Sequence, residues 1–167
     1  DVYKRQVDSV TGVTLSTEQL EYARQRLATA GAAAQAELRL QDYRDIRDEP
    51  FDAICSIEMF EAVGREYWES YFATLRRQLK AGGRACIQSI TIRDELFERY
   101  VKSTDFIQQY IFPGGLLPSR SAFKAQAEKA GLVVIKERCF GTDYAETLRR
   151  WRVDFLAQDG PLRQLGF

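Results

Sequence analysis

Residues 10–20 read VTGVTLSTEQL, and the change of period inside this stretch decides the fold class. Val10 to Leu15 is apolar and β-branched, the pattern of a strand. Ser16 then has the form of a helix N-cap, with Gln19 three residues on as its capping-box partner. Leu20, Ala23 and Leu27 recur at helical spacing, and Gly31 closes the helix. A strand that passes within two residues into a helix is the repeating unit of parallel α/β proteins.

The same alternation continues downstream. Ala36 to Leu40 is predicted as a short strand and Phe51 to Ile57 (FDAICSI) as a second apolar one. Trp68, Tyr71, Phe72, Leu75 and Leu79 then fall on one face of a helix, which Lys80 and Gly82-Gly83 are expected to end. Ala85 to Ile92 (ACIQSITI) is predicted as a strand, residues 95–109 as a mixed helix and Ser119 to Ala130 as a helix ending at Gly131. Leu132 to Ile135 is expected to begin another strand. Tyr144 to Leu156 is expected to be helical, with Leu148, Trp151 and Phe155 inward. The fold class is therefore α/β, a mainly parallel sheet with helices on both faces. Ligands of such sheets gather beyond the carboxyl ends of the strands. Those ends are Thr14-Leu15-Ser16, Gln41-Asp42-Tyr43, Ile57 to Glu61, and Gln88 to Ile90.

Composition narrows the function. The 167 residues suit one domain, and 45% hydrophobic with 12% aromatic residues supports a core. Lys plus Arg is 24 and Asp plus Glu is 24, so no net field selects nucleic acid. No apolar run approaches the ~18 residues of a membrane span, and no segment has the form of a signal peptide. The three cysteines, Cys55, Cys86 and Cys139, lie far apart in apolar runs and are expected to be buried free thiols. The chain contains no histidine, which excludes Ser-His and Cys-His mechanisms and argues against zinc, so no metal site is expected.

Five ordered motifs, VTGVTLSTEQ, LQDYRD, FDAICSIEMFEAVG, YIFPGGLLPS and GTDYAETLRRW, together resemble the cyclopropane-fatty-acyl-phospholipid synthase family over about Val7 to Phe167. The resemblance implies a Rossmann-like class I methyltransferase fold. It implies S-adenosylmethionine as cofactor, and transfer of its methyl group to the double bond of an unsaturated phospholipid acyl chain to form a cyclopropane ring. Residue by residue, Thr14, Leu15 and Gln19 match the stretch that lines the cofactor. Asp42 and Tyr43 match the region near its adenine, and Ile57 lies beside it. Glu61 matches the carboxylate of the family's F-E-H-V-G motif, and Gln88, Ile90 and Tyr144 match a bicarbonate-binding cluster. Two positions depart from the family. Ala62 stands where the family has His, and Gln88 replaces the bicarbonate histidine. An amide can position bicarbonate but cannot relay a proton.

Residues 1–6 match nothing in the family. The family's glycine-rich loop and first strand lie upstream of Val7, and the family continues beyond Phe167. The expectation is a non-family leader over 1–6 and a methyltransferase domain over 7–167 truncated at both ends, an internal piece of a longer enzyme with weak cofactor binding of its own. The expected location is the cytoplasm, peripheral at the inner membrane surface, with unsaturated acyl chains as partners.

Each of these residues also has a plainer reading. Glu61 suits a carboxylate facing a helix N-terminus, Tyr144 a core tyrosine, and Gln88 a buried amide. Asp42 suits an Asx turn, Thr14 and Gln19 a strand end and a helix cap, and Glu58 a surface or cofactor-side neighbour. Arg149, Arg150 and Arg152 around Trp151 fit a solvated helix face as well as a lipid headgroup site. Residues 106–115, FIQQYIFPGG, combine apolar side chains with a rigid turn. Pro113 fixes φ, and Gly114 permits the positive φ of a type II turn. An acyl chain needs such an apolar wall and a carbocation needs a dry one, so Tyr110, Ile111, Phe112, Pro113, Gly114, Gly115 and Leu116 are candidate channel residues. The function classes left open are the cyclopropane-forming methyltransferase, a related enzyme giving a methyl-branched lipid or acting on another small molecule, and a non-catalytic α/β module.

Overall fold

The computed structural model describes residues 7–166; residues 1–6, the expected leader, lie outside them. The chain forms two compact units, Asp1–Val133 and Val134–Phe167.

In the first unit, β1 (Val10–Thr14) runs into α1 (Thr17–Thr29), and β2 (Ala36–Leu40) returns parallel beside β1, with Val10 opposite Ala36 and Thr14 opposite Leu40. Ser16 caps α1 by accepting from Gln19 N at 3.1 Å. The return arm differs from the expected capping box. Gln19 Oε1 accepts from the Thr14 hydroxyl at 2.8 Å, and Thr14 Oγ1 in turn accepts from Ser16 N at 3.1 Å. Thr14 thus stands between the two, taking the Ser16 amide that Gln19 was expected to meet.

A second parallel pair joins β3 (Phe51–Ile57) to β4 (Leu79–Gln88), with Cys55 opposite Cys86 and Ile57 opposite Gln88. Between them α2 (Trp68–Gln78) buries Trp68, Tyr71, Phe72 and Leu75. Phe60 sits at the centre of this core, with ring centroids of Trp68, Tyr71, Phe72 and Phe123 at 4.9 to 5.3 Å. Such tilted and edge-on pairs add to plain area burial. After β4 come α3 (Asp94–Val101), a five-residue π turn at Ile107–Ile111, and α4 (Arg120–Lys129), capped by Ser119.

Several expectations are corrected. The helix stops at Gln78 and Leu79 already belongs to β4, because it pairs with Phe51. The register then shifts, so that Ala53 faces Arg84, and the extra residues around Gly82-Gly83 are absorbed as an irregularity in the strand instead of marking a helix end. β4 ends at Gln88, short of Ile92, which instead bridges to Ser119. The helix expected over 95–109 is broken after Val101 and resumes only as the π turn. Leu132 to Ile135 forms no strand: β-branched residues need a partner edge, none of the described residues supplies one, and Val133 and Ile135 are exposed.

The parallel strands form two separate two-stranded sheets among the described residues. On β3 and β4 one face is covered, since buried Ser56 accepts from the Tyr71 hydroxyl of α2. Successive side chains alternate between faces, and the opposite face carries Ala53, Cys55, Arg84 and Cys86, all exposed. The three cysteines are thus free, as expected, but exposed where burial was expected.

The second unit contains α5 (Gly141–Ala157) and α6 (Asp159–Gln164). None of the α5 residues is buried. Leu148, Trp151 and Phe155, expected inward, are exposed. An apolar stripe is buried only against a facing surface, and the six-residue α6 is too short to supply one. Arg149 and Arg150 both pair with Glu146, at 2.6 and 2.9 Å. No helix among the described residues is long and apolar enough to cross a membrane.

Candidate active site

The carboxyl ends of β3 and β4 bring the central candidates together. Beyond β3 the chain takes a short 3₁₀ turn, Phe60–Ala62. Phe60 is wholly buried in the aromatic core, and this anchor fixes the next residue, Glu61. Glu61 Oε2 accepts from Ser89 Oγ at 2.8 Å, and Oε1 accepts from Ile90 N at 3.4 Å. One carboxylate therefore grips the segment that leaves β4. An anion bonded this way is charge-assisted and fixed in direction.

Gln88 does not bond to Glu61. Its Nε2 donates to Glu58 Oε1 at 3.0 Å, and Glu58 N donates to the Gln88 carbonyl at 2.8 Å. Ser89 and this use of Glu58 escape sequence reading, because both bonds join residues 28 and 30 positions apart. The available signals are modest: a hydroxyl directly after Gln88, and a second carboxylate three residues before Glu61.

The apolar stretch reaches the same place. Phe112-Pro113-Gly114-Gly115 forms the expected turn, with Gly114 at φ 83° and Gly115 N donating to the Phe112 carbonyl at 3.0 Å. The next amide, Leu116 N, donates to the Glu61 carbonyl at 2.8 Å. Gly115 passes so close that an added Cβ would lie 3.1 Å from Phe112 O and 3.4 Å from Glu61 O. Tyr110, Ile111 and Phe112 expose 65%, 49% and 63% of their surface.

At the ends of β1 and β2, Gln41 N donates to the Thr14 carbonyl at 3.0 Å. Asp42 caps a 3₁₀ turn, accepting from Arg44 N at 2.9 Å and from the Arg44 guanidinium through both oxygens. The Arg44 bond holds its carboxyl below the usual carboxylate value. Tyr43 stands edge-on to Tyr71, centroids 5.8 Å apart, and burial pushes its phenol up. Leu15 and Ile57 are exposed at 74% and 56%. Tyr144 lies on α5, in the second unit. Among the described residues no cluster of three or more metal-ligating side chains occurs.

Two parallel β pairs with polar and apolar side chains gathered at their carboxyl ends match more than a general α/β pattern. Residues 2–165 match the family model described as mycolic acid cyclopropane synthetase. The chain belongs to that family. Tuberculostearic acid methyltransferase UfaA1 of Mycobacterium tuberculosis is 42% identical over 159 residues, covering 95% of this chain and 37% of that protein. The cyclopropane-fatty-acyl-phospholipid synthase of Escherichia coli K12 is 38% identical over 149 residues, 89% of this chain and 36% of that one. Among solved structures, mycolic acid cyclopropane synthase CmaA1, complexed with SAH and CTAB, superposes with a TM-score of 0.79 at 31% identity, over 92% of this chain and 56% of that one. The chain thus spans little more than a third of the first two proteins' length and 56% of the third's. As a cyclopropane synthetase family member it has the Rossmann-like fold of S-adenosylmethionine-dependent methyltransferases, with Thr14, Asp42, Glu58 and Gln88 at or just beyond its strand ends.

Proposed function

We propose that the complete protein transfers a methyl group from S-adenosylmethionine to the double bond of an unsaturated phospholipid acyl chain and closes a cyclopropane ring. The observation that carries this reading is the bond from Leu116 N to the Glu61 carbonyl. It ties a charge-free apolar stretch to the backbone of a fixed carboxylate.

The residues present fit the cofactor. Leu15, next to Thr14 at the end of β1, and Ile57, at the end of β3, expose apolar surface, and the Asp42 carboxylate and Tyr43 phenol follow the end of β2. A nucleoside with a flat base and a ribose diol requires that mixture of apolar and polar surface. When bound, S-adenosylmethionine supplies an activated methyl group. An alkene that gains it carries positive charge on carbon, and ring closure then removes one proton. Glu61, fixed by Ser89 and Ile90, is the chain's anion for that charge and proton. Residues 106–118 keep water from the cation. Bicarbonate beside Glu61 belongs to the same reading, with the Gln88 amide and the Ile90 backbone as its donors. The acceptor lies at a membrane surface, and the enzyme acts there from the cytoplasmic side.

A second reading, a methyl-branched product, is favoured by one observation. The relative at 42% identity is named a tuberculostearic acid methyltransferase. Ozonolysis of the product separates the two, since a ring survives and a retained double bond is cleaved. A non-catalytic module predicts no S-adenosylhomocysteine binding by the complete protein, and titration calorimetry tests that directly.

The test of the main reading is Glu61→Gln in the complete protein, assayed by mass spectrometry of lipids. Turnover is expected to fall about 100-fold or more, with S-adenosylhomocysteine affinity within about threefold. A variant that modifies lipid as fast as its parent would sink the reading.

A further inference from the structure

Glu58 is the single non-glycine residue with positive φ among the described residues, at 50°. That region disfavours L-residues because Cβ crowds the backbone, and a glycine would adopt it without cost. A strained conformation kept at the end of a strand points to a use for the side chain. The side chain has one: its Oε1 accepts from Gln88 Nε2 at 3.0 Å, while the Glu58 amide holds the Gln88 carbonyl at 2.8 Å. Gln88 is therefore gripped at two points by one residue. The next two residues, Ser89 and Ile90, are gripped by Glu61. Two carboxylates three positions apart thus register the whole 88–90 segment against the end of β3. The bond to Glu58 also decides which way the Gln88 amide faces. Only its NH₂ group can meet a carboxylate, so its oxygen and second N–H are directed elsewhere.

We infer that Glu58 is a positioning residue whose carboxylate sets the Gln88 amide for methyl transfer, the residue type being kept for that bond at the expense of backbone strain. This rests on the lipid methyltransferase reading above. It assigns Gln88 an orienting partner of its own, separate from Glu61.

The experiment compares the complete parent protein with Glu58→Gly and Glu58→Gln. The readouts are kcat and KM on vesicles of unsaturated phospholipid, S-adenosylhomocysteine affinity by calorimetry, and the thermal midpoint. Glu58→Gly removes the strain and the bond together. Its midpoint is expected at or above the parent's and its cofactor-product affinity within about twofold, while kcat falls about tenfold with KM little changed, the signature of misplacement at the reacting centre. Glu58→Gln keeps an oxygen for Gln88 Nε2 and should stay within about threefold of the parent. A Glu58→Gly kcat within twofold of the parent overturns the proposal. So does a lowered midpoint that accounts for the lost activity, or a Glu58→Gln variant that falls as far as Glu58→Gly. A parent that modifies no lipid refutes the methyltransferase reading itself, and the parent control separates that failure from the others.

Discussion

Raising the pH titrates the packing beneath the site through one phenol. Tyr71 exposes 1% of its surface and gives its hydroxyl hydrogen to Ser56 Oγ at 2.7 Å. Burial, which disfavours the phenolate, pushes its pKa up to about 12 from 10.0, and the bond to Ser56 opposes this only in part. The unfolded chain therefore loses this proton near pH 10 and the folded chain near pH 12. Between those values the unfolded state binds fewer protons, so stability falls as pH rises. The contribution is complete below pH 10 and lost as pH passes through 12. Two pH units at about 1.36 kcal/mol each bound it at about 2.7 kcal/mol, of which about 2 is gone by pH 12. Burial raises Tyr43 and Tyr100 in the same direction, so the parent's pH profile alone does not isolate Tyr71. The comparison is with Tyr71→Phe. At pH 8 the variant should be about 1 kcal/mol less stable, having lost the bond to Ser56. By pH 12 the order should invert, because the variant has no phenol to ionise at that place. Urea denaturation followed by circular dichroism at pH 8 to 12 gives both curves. Parallel curves would refute the reasoning, since they would mean that Tyr71 reaches solvent as readily folded as unfolded.

Three further outcomes are expected. In the complete protein Phe112→Asp should abolish lipid turnover and leave S-adenosylhomocysteine affinity within about threefold, because the proposed acyl channel would expel a charge; equal loss of both in calorimetry and turnover assays would assign Phe112 to folding. Ser16→Ala removes the acceptor of Gln19 N and should cost about 1 kcal/mol in urea denaturation; no change would mean that the Thr14–Gln19 bond alone holds the helix start. Gly12→Ala sets a Cβ 2.8 Å from Leu38 Cδ2, the end of a partly exposed side chain that can turn aside, and should cost about 0.5–1.5 kcal/mol, part of it recovered when Leu38→Ala is added; a double variant as unstable as the sum of the two would show that the clash is not with Leu38.

Local pattern carried the reading as far as local physics decides the outcome. β1 and β3 were legible because each is a short β-branched or apolar run, β2 because its apolar residues alternate with Glu37 and Arg39, and α1 because Ser16 and its spacing announce it. β4 was misjudged because its first residue is set by Phe51, a partner 28 positions back, and Leu79 fits either a helix face or a strand. Leu132 to Ile135 and the α5 stripe were misjudged for a related reason. Their side chains announce burial, but only a facing element can provide it. The turn at Pro113-Gly114 was legible to the residue, since φ 83° at position 114 is what glycine is for.

The site shows where this limit has consequences. Alternation alone located the strand ends, and the family resemblance singled out Glu61, but neither method distinguishes which carboxylate Gln88 meets. That choice is made by two bonds between chain ends that neighbour one another only in the folded sheet. Glu58 is the instructive case. Its backbone conformation opposes its residue type, and natural sequences keep such conflicts mainly where a site needs them. A glutamate placed where glycine would be cheaper is therefore stronger evidence of use than a glutamate in a relaxed turn. By that standard the role proposed for Glu58 has a structural argument that Glu61, whose own backbone shows no such strain, lacks.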